Sequence, residues 1–194
     1  MQKPAAKPYT PQQLLRKKKF GEPLTPDDHE QVNRHVITVL LENSIGALNR
    51  VANMFSQRGF NLESVAVGET DDPGVARITL VTTGNDRIVA QVIRQLNNLI
   101  DTLIVEDLTD EEFVERELCL LKVRYNPETR GEIMSNNDIF RGKVIDITPD
   151  TMTFELTGPT KKINAFVAMM QPYGIVEVAR SGRVAMRRSL IYGG

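Results

Sequence analysis

Residues 35–48 read HVITVLLENSIGAL, and this stretch decides how the chain folds. Its first eight residues, His35–Glu42, are almost all apolar, which is typical of a strand in the middle of a sheet. Asn43 and Ser44 carry side-chain oxygens that can cap a helix. Apolar residues spaced by three and four then indicate one face of that helix: Leu48, Val51, Ala52 and Phe55. The sequence therefore predicts a strand that leads directly into an amphipathic helix.

The pattern continues with further strands and one more helix. Gly59 is expected to stop the first helix. Strands are predicted at Phe60–Glu69, Val75–Thr82 and Leu103–Leu108, and a second helix follows Gly84-Asn85-Asp86. The resulting order, β-α-β-β-α-β, is that of a ferredoxin-like domain.

The same order of elements returns after the acidic residues 110–112. The second set comprises strand Leu118–Tyr125, helix Glu128–Phe140, strands Val144–Ile147 and Thr151–Thr157, a helix capped by Thr160, and strand Ile175–Ala179. We therefore predict an α+β protein of two tandem ferredoxin-like βαββαβ domains, joined near residues 109–116. Both helices of such a domain cover one face of the sheet, so the other face and the edges are expected to be open. Open edges on small domains favour self-association, and we expect at least a homodimer.

The composition of the 194 residues is that of a soluble globular protein, with 41 % hydrophobic and 25 % charged residues. The net charge of −1 argues against nucleic-acid binding by the surface as a whole. A single cysteine excludes an intramolecular disulfide. We see no apolar run long enough to span a membrane and no signal peptide, so a cytoplasmic protein is expected.

Residues 1–34 differ from the rest because they contain five of the ten prolines and the basic run Arg16–Lys19. We interpret this stretch as a flexible N-terminal arm, and residues 189–194 as a short tail. The basic run is interpreted as solvated, with contact to phosphate or to an acidic surface as the alternative.

No motif for a phosphate loop, a dinucleotide fold, a zinc protease, a hydrolase elbow or a dithiol occurs in the sequence. His35 and Cys119 are interpreted as structural residues. A small ferredoxin-like phosphatase that uses a loop arginine is an alternative by fold analogy alone, but Arg50 is predicted to lie in mid-helix, away from the apolar face. We therefore predict neither catalytic nor metal-binding residues.

The first strand–helix junction has the features of a small binding site. The N-terminus of a helix offers free N–H groups to a carboxylate, and Gly46 leaves them accessible. The carboxamide of Asn43 can both donate and accept hydrogen bonds. These features suit an α-amino acid that is held and not transformed. The alternative is a capped helix whose glycine permits close packing, and the residue pattern leaves both interpretations open.

Five stretches of the sequence resemble the regulatory small subunit of acetohydroxyacid synthase, also called acetolactate synthase. They read LLENSIGALNRV at 40–51, FSQRGFNLES at 55–64, TDDP at 70–73, NDIFRGKVID at 137–146 and GIVEVARSG at 174–182. The resemblance covers residues 35–188 and therefore both predicted domains. The first of these domains, 35–109, resembles an ACT domain.

The resemblance implies a subunit without chemistry of its own. It would activate a catalytic large subunit, which condenses two 2-oxo acids, and make it sensitive to feedback inhibition by valine or a related branched-chain amino acid. The ACT domain would bind the effector and form the homodimer, and residues 117–188 would engage the catalytic subunit. Thiamine diphosphate, magnesium and FAD would belong to the catalytic subunit, with no cofactor in this chain.

The resemblance also implies which residues bind the effector, which in this family lies between two ACT domains. Asn43, Gly46, Ala47 and Leu48 would come from one chain, and Asn61 and Leu62 from the other. The alternative is a free-standing ACT-domain sensor that acts on nucleic acid through Arg16–Lys19 and four C-terminal arginines: Arg180, Arg183, Arg187 and Arg188. Neither a helix-turn-helix pattern nor a set of stacking aromatic residues accompanies those charges.

We predict that the purified chain alone forms no acetolactate, because the sequence lacks motifs for binding cofactors. The measurement is product formation from a 2-oxo acid, with and without added catalytic subunit. Turnover by a preparation shown to be free of co-purified synthase would contradict the prediction.

Overall fold

A computed structural model of the protein describes residues 33–58 and 60–188. Four features predicted from the sequence lie outside these residues: the arm up to residue 32, its basic run Arg16–Lys19, the helix stop at Gly59 and the tail at 189–194. None of the helices described is long and apolar enough to cross a membrane.

The first half contains four strands and two helices in the predicted order. They are β1 (Asn33–Glu42), α1 (Ala47–Arg58), β2 (Leu62–Glu69), β3 (Val75–Gly84), α2 (Asp86–Asn97) and β4 (Thr102–Asp107). The strands form an antiparallel sheet in the order β2-β3-β1-β4. Alternate residues of β1 and β3, such as Ile37, Val39 and Ile78, are buried against the apolar faces of both helices. Asn85 caps α2, because its Oδ1 accepts a hydrogen bond from the Ile88 N–H at 2.9 Å.

The second half repeats this arrangement. Its elements are β5 (Phe113–Arg124), α3 (Arg130–Phe140), β6 (Lys143–Ile147), β7 (Thr151–Gly158), α4 (Thr160–Met170), a 3₁₀ turn (Gln171–Tyr173) and β8 (Ile175–Arg187). The sheet order is β6-β7-β5-β8, and a second core forms around Leu121, Phe154 and Phe166. The prediction of two tandem ferredoxin-like βαββαβ folds is therefore confirmed, and both halves belong to one compact unit.

The last strand is eight residues longer than predicted, since β8 continues from Ala179 to Arg187. β5 likewise begins at Phe113 and not at Leu118. The additional residues pair with each other, from Phe113 opposite Arg187 to Glu117 opposite Arg183, and form a two-stranded ribbon.

One face of this ribbon packs against the first sheet. Ala185 is buried with Val36, Val81 and Leu108, and Phe113 packs beside them. The backbone N–H of Ala185 donates to Thr79 Oγ1 at 3.3 Å. The expectation that the second face of the first sheet is open is therefore wrong where the ribbon covers it.

Gly182 lies at the point where β8 passes from the second sheet onto the first. Its φ of +78° is in the left-handed region, and a Cβ there would lie 2.8 Å from the carbonyl oxygen of Val65. The adjacent Arg183 N–H donates to Ser64 Oγ at 3.0 Å. Only a residue without a side chain lets the strand approach β2 this closely.

Three of the four arginines in the proposed nucleic-acid tail are strand residues that form ion pairs. Arg180 pairs with Glu117 at 2.6 Å, Arg183 with Glu115 at 3.0 Å, and Arg187 with Glu111 at 3.1 Å. The charges of these three residues are therefore engaged within the fold and are not those of a free basic tail, as the nucleic-acid alternative requires.

We predict that Gly182→Ala lowers the free energy of unfolding by roughly 1–3 kcal/mol, because the new Cβ meets a backbone carbonyl and φ is unfavourable for alanine. Gly68→Ala in β2 is the matched control, since a Cβ there has no atom within 4 Å. Urea unfolding of both variants measures the difference. Equal midpoints for the two variants would show that the contact at Gly182 is not a constraint.

Candidate functional site

The turn between β1 and α1, residues 43–46, is tied to the neighbouring β2–β3 turn through Asn43. The Asn43 backbone N–H donates to Gly74 O at 2.8 Å. Its side-chain Nδ2 donates to Pro73 O at 3.0 Å and to Glu69 Oε1 at 3.3 Å. The carboxamide therefore joins two turns at one end of the sheet, and Asn43 remains exposed to solvent there.

Gly46 immediately precedes α1 and has a φ of +88°. This left-handed conformation favours glycine, and a Cβ at this position would lie 3.1 Å from Nη1 of Arg50. The Arg50 N–H donates to the Gly46 carbonyl at 2.9 Å, which starts the helical hydrogen bonding. The backbone conformation thus explains why residue 46 is glycine. Because Gly46 has no side chain, it also leaves the N–H groups at the start of α1 accessible.

Arg50 and Asp101 form an ion pair beside this turn that no local sequence pattern indicates. Arg50 Nη2 donates to Asp101 Oδ1 at 2.7 Å, and Nε donates to Oδ2. Ser44 Oγ donates to the same Oδ1 at 3.1 Å, and the Glu42 N–H donates to the Asp101 carbonyl at 2.8 Å. The hydrogen bond from Arg50 is the main reason that the pKa of Asp101 lies below its ordinary value. Asp101 therefore fixes both ends of the turn.

Arg50 lies in the first turn of α1 and not in mid-helix as predicted. Its side chain is 41 % exposed, while that of Asp101 is 9 % exposed, so the guanidinium remains open to solvent beside Gly46. The predicted caps Asn43 and Ser44 direct their side chains elsewhere, to Pro73 and to Asp101. Ser44 and Arg50 are six positions apart, and no local pattern indicates their common partner Asp101, which is 57 and 51 residues away from them.

The remaining predicted residues of this turn differ in exposure. Ala47 is buried, and its N–H donates to the Ser44 carbonyl at 3.2 Å. Leu48 is 46 % exposed and the neighbouring Ile45 is fully exposed. The turn therefore presents an apolar surface next to a cation and the start of a helix.

Asn61 and Leu62 do not lie beside this turn within one chain. Leu62 is opposite Thr82, whose Oγ1 donates to the Asn61 carbonyl at 2.7 Å. Glu69, which contacts Asn43, is seven residues further along β2. At the usual rise of a strand, about 3.3 Å per residue, seven residues place Leu62 about 23 Å from Glu69 and thus from the turn that Glu69 contacts.

His35 and Cys119 have structural surroundings. His35 is buried, with Nδ1 at 3.2 Å from Thr109 Oγ1 and 3.7 Å from Asp107 Oδ2. Cys119 is buried in the second core, where burial raises the pKa of its thiol. Within residues 33–58 and 60–188, no cluster of histidine, cysteine or acidic residues could hold a metal ion.

A cavity of about 360 Å³ lies where the ribbon meets β2 and α4. Glu117 is the buried carboxylate on its wall, and it accepts hydrogen bonds from Arg180 Nε at 2.6 Å and Nη2 at 2.7 Å. Thr160 Oγ1 donates to Glu117 at 3.2 Å and accepts from Arg183 Nε at 3.1 Å. Burial alone would raise the pKa of Glu117. The hydrogen bonds and the positive charge of Arg180 outweigh burial, so the pKa lies below its ordinary value.

Thr160 is the first residue of α4 and not its predicted cap, a position that Pro159 occupies.

We predict that Asp101→Asn lowers the urea midpoint at pH 7, because Arg50 and Ser44 then lose their anionic partner. Since the folded pKa of Asp101 is depressed, its stabilisation is complete above the ordinary carboxyl pKa of about 4 and disappears as pH falls through the folded value. The midpoint difference from the unaltered chain should therefore shrink below about pH 4. Asp110→Asn, at an exposed position, is the control. A difference that stays constant at all pH values would contradict the assignment.

Comparison with known proteins identifies both halves. Residues 37–104 match a family model described as AHAS small subunit-like ACT domain, and residues 116–189 match the small subunit of acetolactate synthase. The acetolactate synthase small subunit of Aquifex aeolicus is 49 % identical over 162 residues, which cover 82 % of this chain and 84 % of that protein.

Two further similar proteins agree. The small subunit of acetolactate synthase isozyme 3 from Escherichia coli is 45 % identical, across 80 % of this chain and 96 % of that protein. The crystal structure of the Thermotoga maritima small subunit superposes with a TM-score of 0.75 and 36 % identity, covering 82 % of this chain and 99 % of that one. The first half is thus an ACT domain. The resemblance seen in the sequence is confirmed, and the chain belongs to the family of acetolactate synthase small subunits.

Proposed function

We propose that this chain activates the catalytic subunit of acetolactate synthase and makes it sensitive to feedback inhibition by valine. The observation that carries the proposal is the β1–α1 turn of the ACT domain. There an uncovered helix start at Gly46 lies beside the solvent-exposed guanidinium of Arg50, in a chain of the small-subunit family.

The chemistry of the turn suits a small apolar amino acid. The partial positive charge at the start of α1 favours a carboxylate, and Nη1 of Arg50, which lies beside Gly46 and takes no part in the ion pair with Asp101, can donate a hydrogen bond to it. The exposed Leu48 offers an apolar contact to a branched side chain. Asn43 and Glu69 offer oxygen atoms that can accept hydrogen bonds from an α-ammonium group.

The effector site is completed by a second copy of the chain. β2 is an edge strand of the sheet, so its outer hydrogen-bonding groups are available for another strand. If two copies pair antiparallel through β2 about a two-fold axis, Asn61 of the second copy lies near Glu69 of the first. Glu69 contacts Asn43. The separation of about 23 Å within one chain is therefore bridged by the dimer, which supports assigning Asn61 and Leu62 to the opposite copy.

The second half of the chain, residues 117–188, is proposed to engage the catalytic subunit. Thiamine diphosphate, magnesium and FAD are proposed to be bound by that subunit, which performs the condensation of 2-oxo acids. The role of this chain is then to set the activity of its partner according to the supply of the amino acid.

We predict that Gly46→Asp and Asn61→Ala each give a complex that is active but insensitive to valine. The aspartate adds bulk and a negative charge where the effector carboxylate approaches. Loss of the Asn61 carboxamide should weaken effector binding by about 10- to 100-fold. Asn53→Ala, on the exposed side of α1, is the matched control. The measurement is acetolactate formation by the complex as valine is titrated, and wild-type sensitivity in both folded variants would refute the assignment.

A mixture of the two variants tests whether the site is shared between copies. A dimer of one Gly46→Asp chain with one Asn61→Ala chain has one site with both changes and one site with neither. Mixed dimers should therefore recover partial sensitivity to valine, although each variant alone has none. If Asn61 belonged to the same copy as Gly46, every site in the mixture would be defective and no sensitivity would return.

A further inference from the structure

Arg50 has a guanidinium whose N–H donors are only partly used within the chain. Nε donates to Asp101 Oδ2, while Nη2 donates to Asp101 Oδ1 at 2.7 Å and to Ser44 Oγ at 3.4 Å. These bonds occupy the Nε N–H and both N–H groups of Nη2. In the described part of the chain, the N–H groups of Nη1 have no hydrogen-bond partner.

Nη1 lies beside the start of α1. It is 3.1 Å from the point that a Cβ of residue 46 would occupy, so the space next to it exists because Gly46 has no side chain. An N–H donor and the uncovered N-terminus of a helix of 12 residues therefore meet at one point of the surface. A ligand carboxylate placed there can accept hydrogen bonds from both of them.

Asp101 fixes the direction of this donor. Its side chain is 9 % exposed and binds the Nε–Nη2 edge of the guanidinium through both oxygen atoms. The carboxylate is itself held, because Ser44 Oγ donates to Oδ1 at 3.1 Å and the Glu42 N–H donates to the Asp101 carbonyl at 2.8 Å. Arg50 has therefore lost much of its rotamer freedom before a ligand arrives, and less of the binding free energy is spent on ordering it.

The ion pair also determines how a ligand is recognised. Since the charge of Asp101 offsets that of Arg50, a ligand is held here by directed hydrogen bonds and not by net charge. A carboxylate accepts such bonds from a guanidinium more strongly than a neutral carboxamide does. A carboxamide would also bring its own N–H groups toward the N–H groups of the helix. We therefore expect this position to distinguish an amino acid from its amide.

We infer that Asp101 is a positioning residue of the effector site, and that it directs Nη1 of Arg50 toward the α-carboxylate of the bound amino acid. The inference deepens the proposed function and rests on it, since it needs an amino acid at the β1–α1 turn. It extends the site to the turn between α2 and β4, where Asp101 lies. Selectivity for a free carboxylate is thereby assigned to two residues 51 positions apart.

Two ligands that differ only in the carboxylate test the inference on the full-length chain. They are L-valine and L-valinamide, which keeps the α-ammonium group and the branched side chain but has a neutral amide. Calorimetric titration gives the dissociation constant of each ligand, and the ratio of the two constants measures how much the site uses the carboxylate. The unaltered chain should bind valine at least about tenfold more tightly than valinamide.

Arg50→Gln should weaken valine binding by about 10- to 100-fold and change valinamide binding little, so the ratio falls toward one. Asp101→Asn should lower the ratio by less, because Arg50 is kept but its anionic partner is lost. Arg50→Lys keeps the positive charge without the planar fork, so it should not restore the ratio. Arg87→Gln is the matched control, since Arg87 is exposed in the first turn of α2, at the opposite end of that helix from Asp101.

The ratio separates a positioning role from a merely structural one, because a damaged turn weakens both ligands equally. Circular dichroism and urea midpoints identify the folded variants. An unaltered chain that binds valine and valinamide equally, or folded Arg50 and Asp101 variants that keep the unaltered ratio, would overturn the inference alone. If one variant does not fold, the ratio in the others decides. An unaltered chain that binds no valine and leaves the complex insensitive to it would overturn both proposals.

Discussion

The buried carboxylate of Glu117 is the interaction on which the arrangement of the two halves depends. A carboxylate with little contact to water costs several kcal/mol unless donors replace that water. Arg180 supplies two hydrogen bonds and Thr160 a third, and Thr160 in turn accepts one from Arg183. These donors come from the first residue of α4 and from both sides of Gly182 in β8. Satisfying one carboxylate therefore fixes the start of a helix and the direction of the last strand.

The direction of β8 then determines which surfaces of the ACT domain stay open. Beyond Gly182 the strand runs over the first sheet, where Ala185 is buried with Val36 and Val81. The face opposite the helices is thus partly occupied by the chain itself. The unpaired edge at β2 and the turn at the start of α1 are left for other molecules, and these are the surfaces that the proposed effector site uses.

Much of the fold could be predicted because each core is encoded by local periodicity. Apolar residues of β1 and α1 repeat at the spacing of a strand and then of a helix, and the order of the elements follows from them. The extension of β8 could not be predicted in this way. Arg180-Ser181-Gly182 has the composition of a turn. The residues that hold this part of the strand in place are distant in sequence, since Glu117 is 63 positions from Arg180 and Ser64 is 119 positions from Arg183.

The candidate site could also be predicted only where it depends on neighbouring residues in the sequence. The helix start at Gly46 and the exposed Asn43 follow from local sequence, and the resemblance to a family added Asn61 and Leu62. The ion pair of Arg50 with Asp101 has no local pattern, because Asp101 lies 51 residues further along the chain, between α2 and β4. The charge next to the proposed carboxylate position is therefore a product of tertiary structure.

The bulge in β2 connects the two regions physically. Pairing with β3 shifts register between Leu62 and Ser64. On one side of the shift are Asn61 and Leu62, proposed to contact the effector of the opposite copy, and on the other is Ser64, which accepts the Arg183 N–H. An effector that orders Asn61 and Leu62 therefore acts on a segment of β2 that lies two residues before Ser64, the residue that binds the ribbon through Arg183. For that contact to transmit a signal, the bulge must have two arrangements of similar free energy, and a bulge in an edge strand is constrained by a neighbouring strand on one side only.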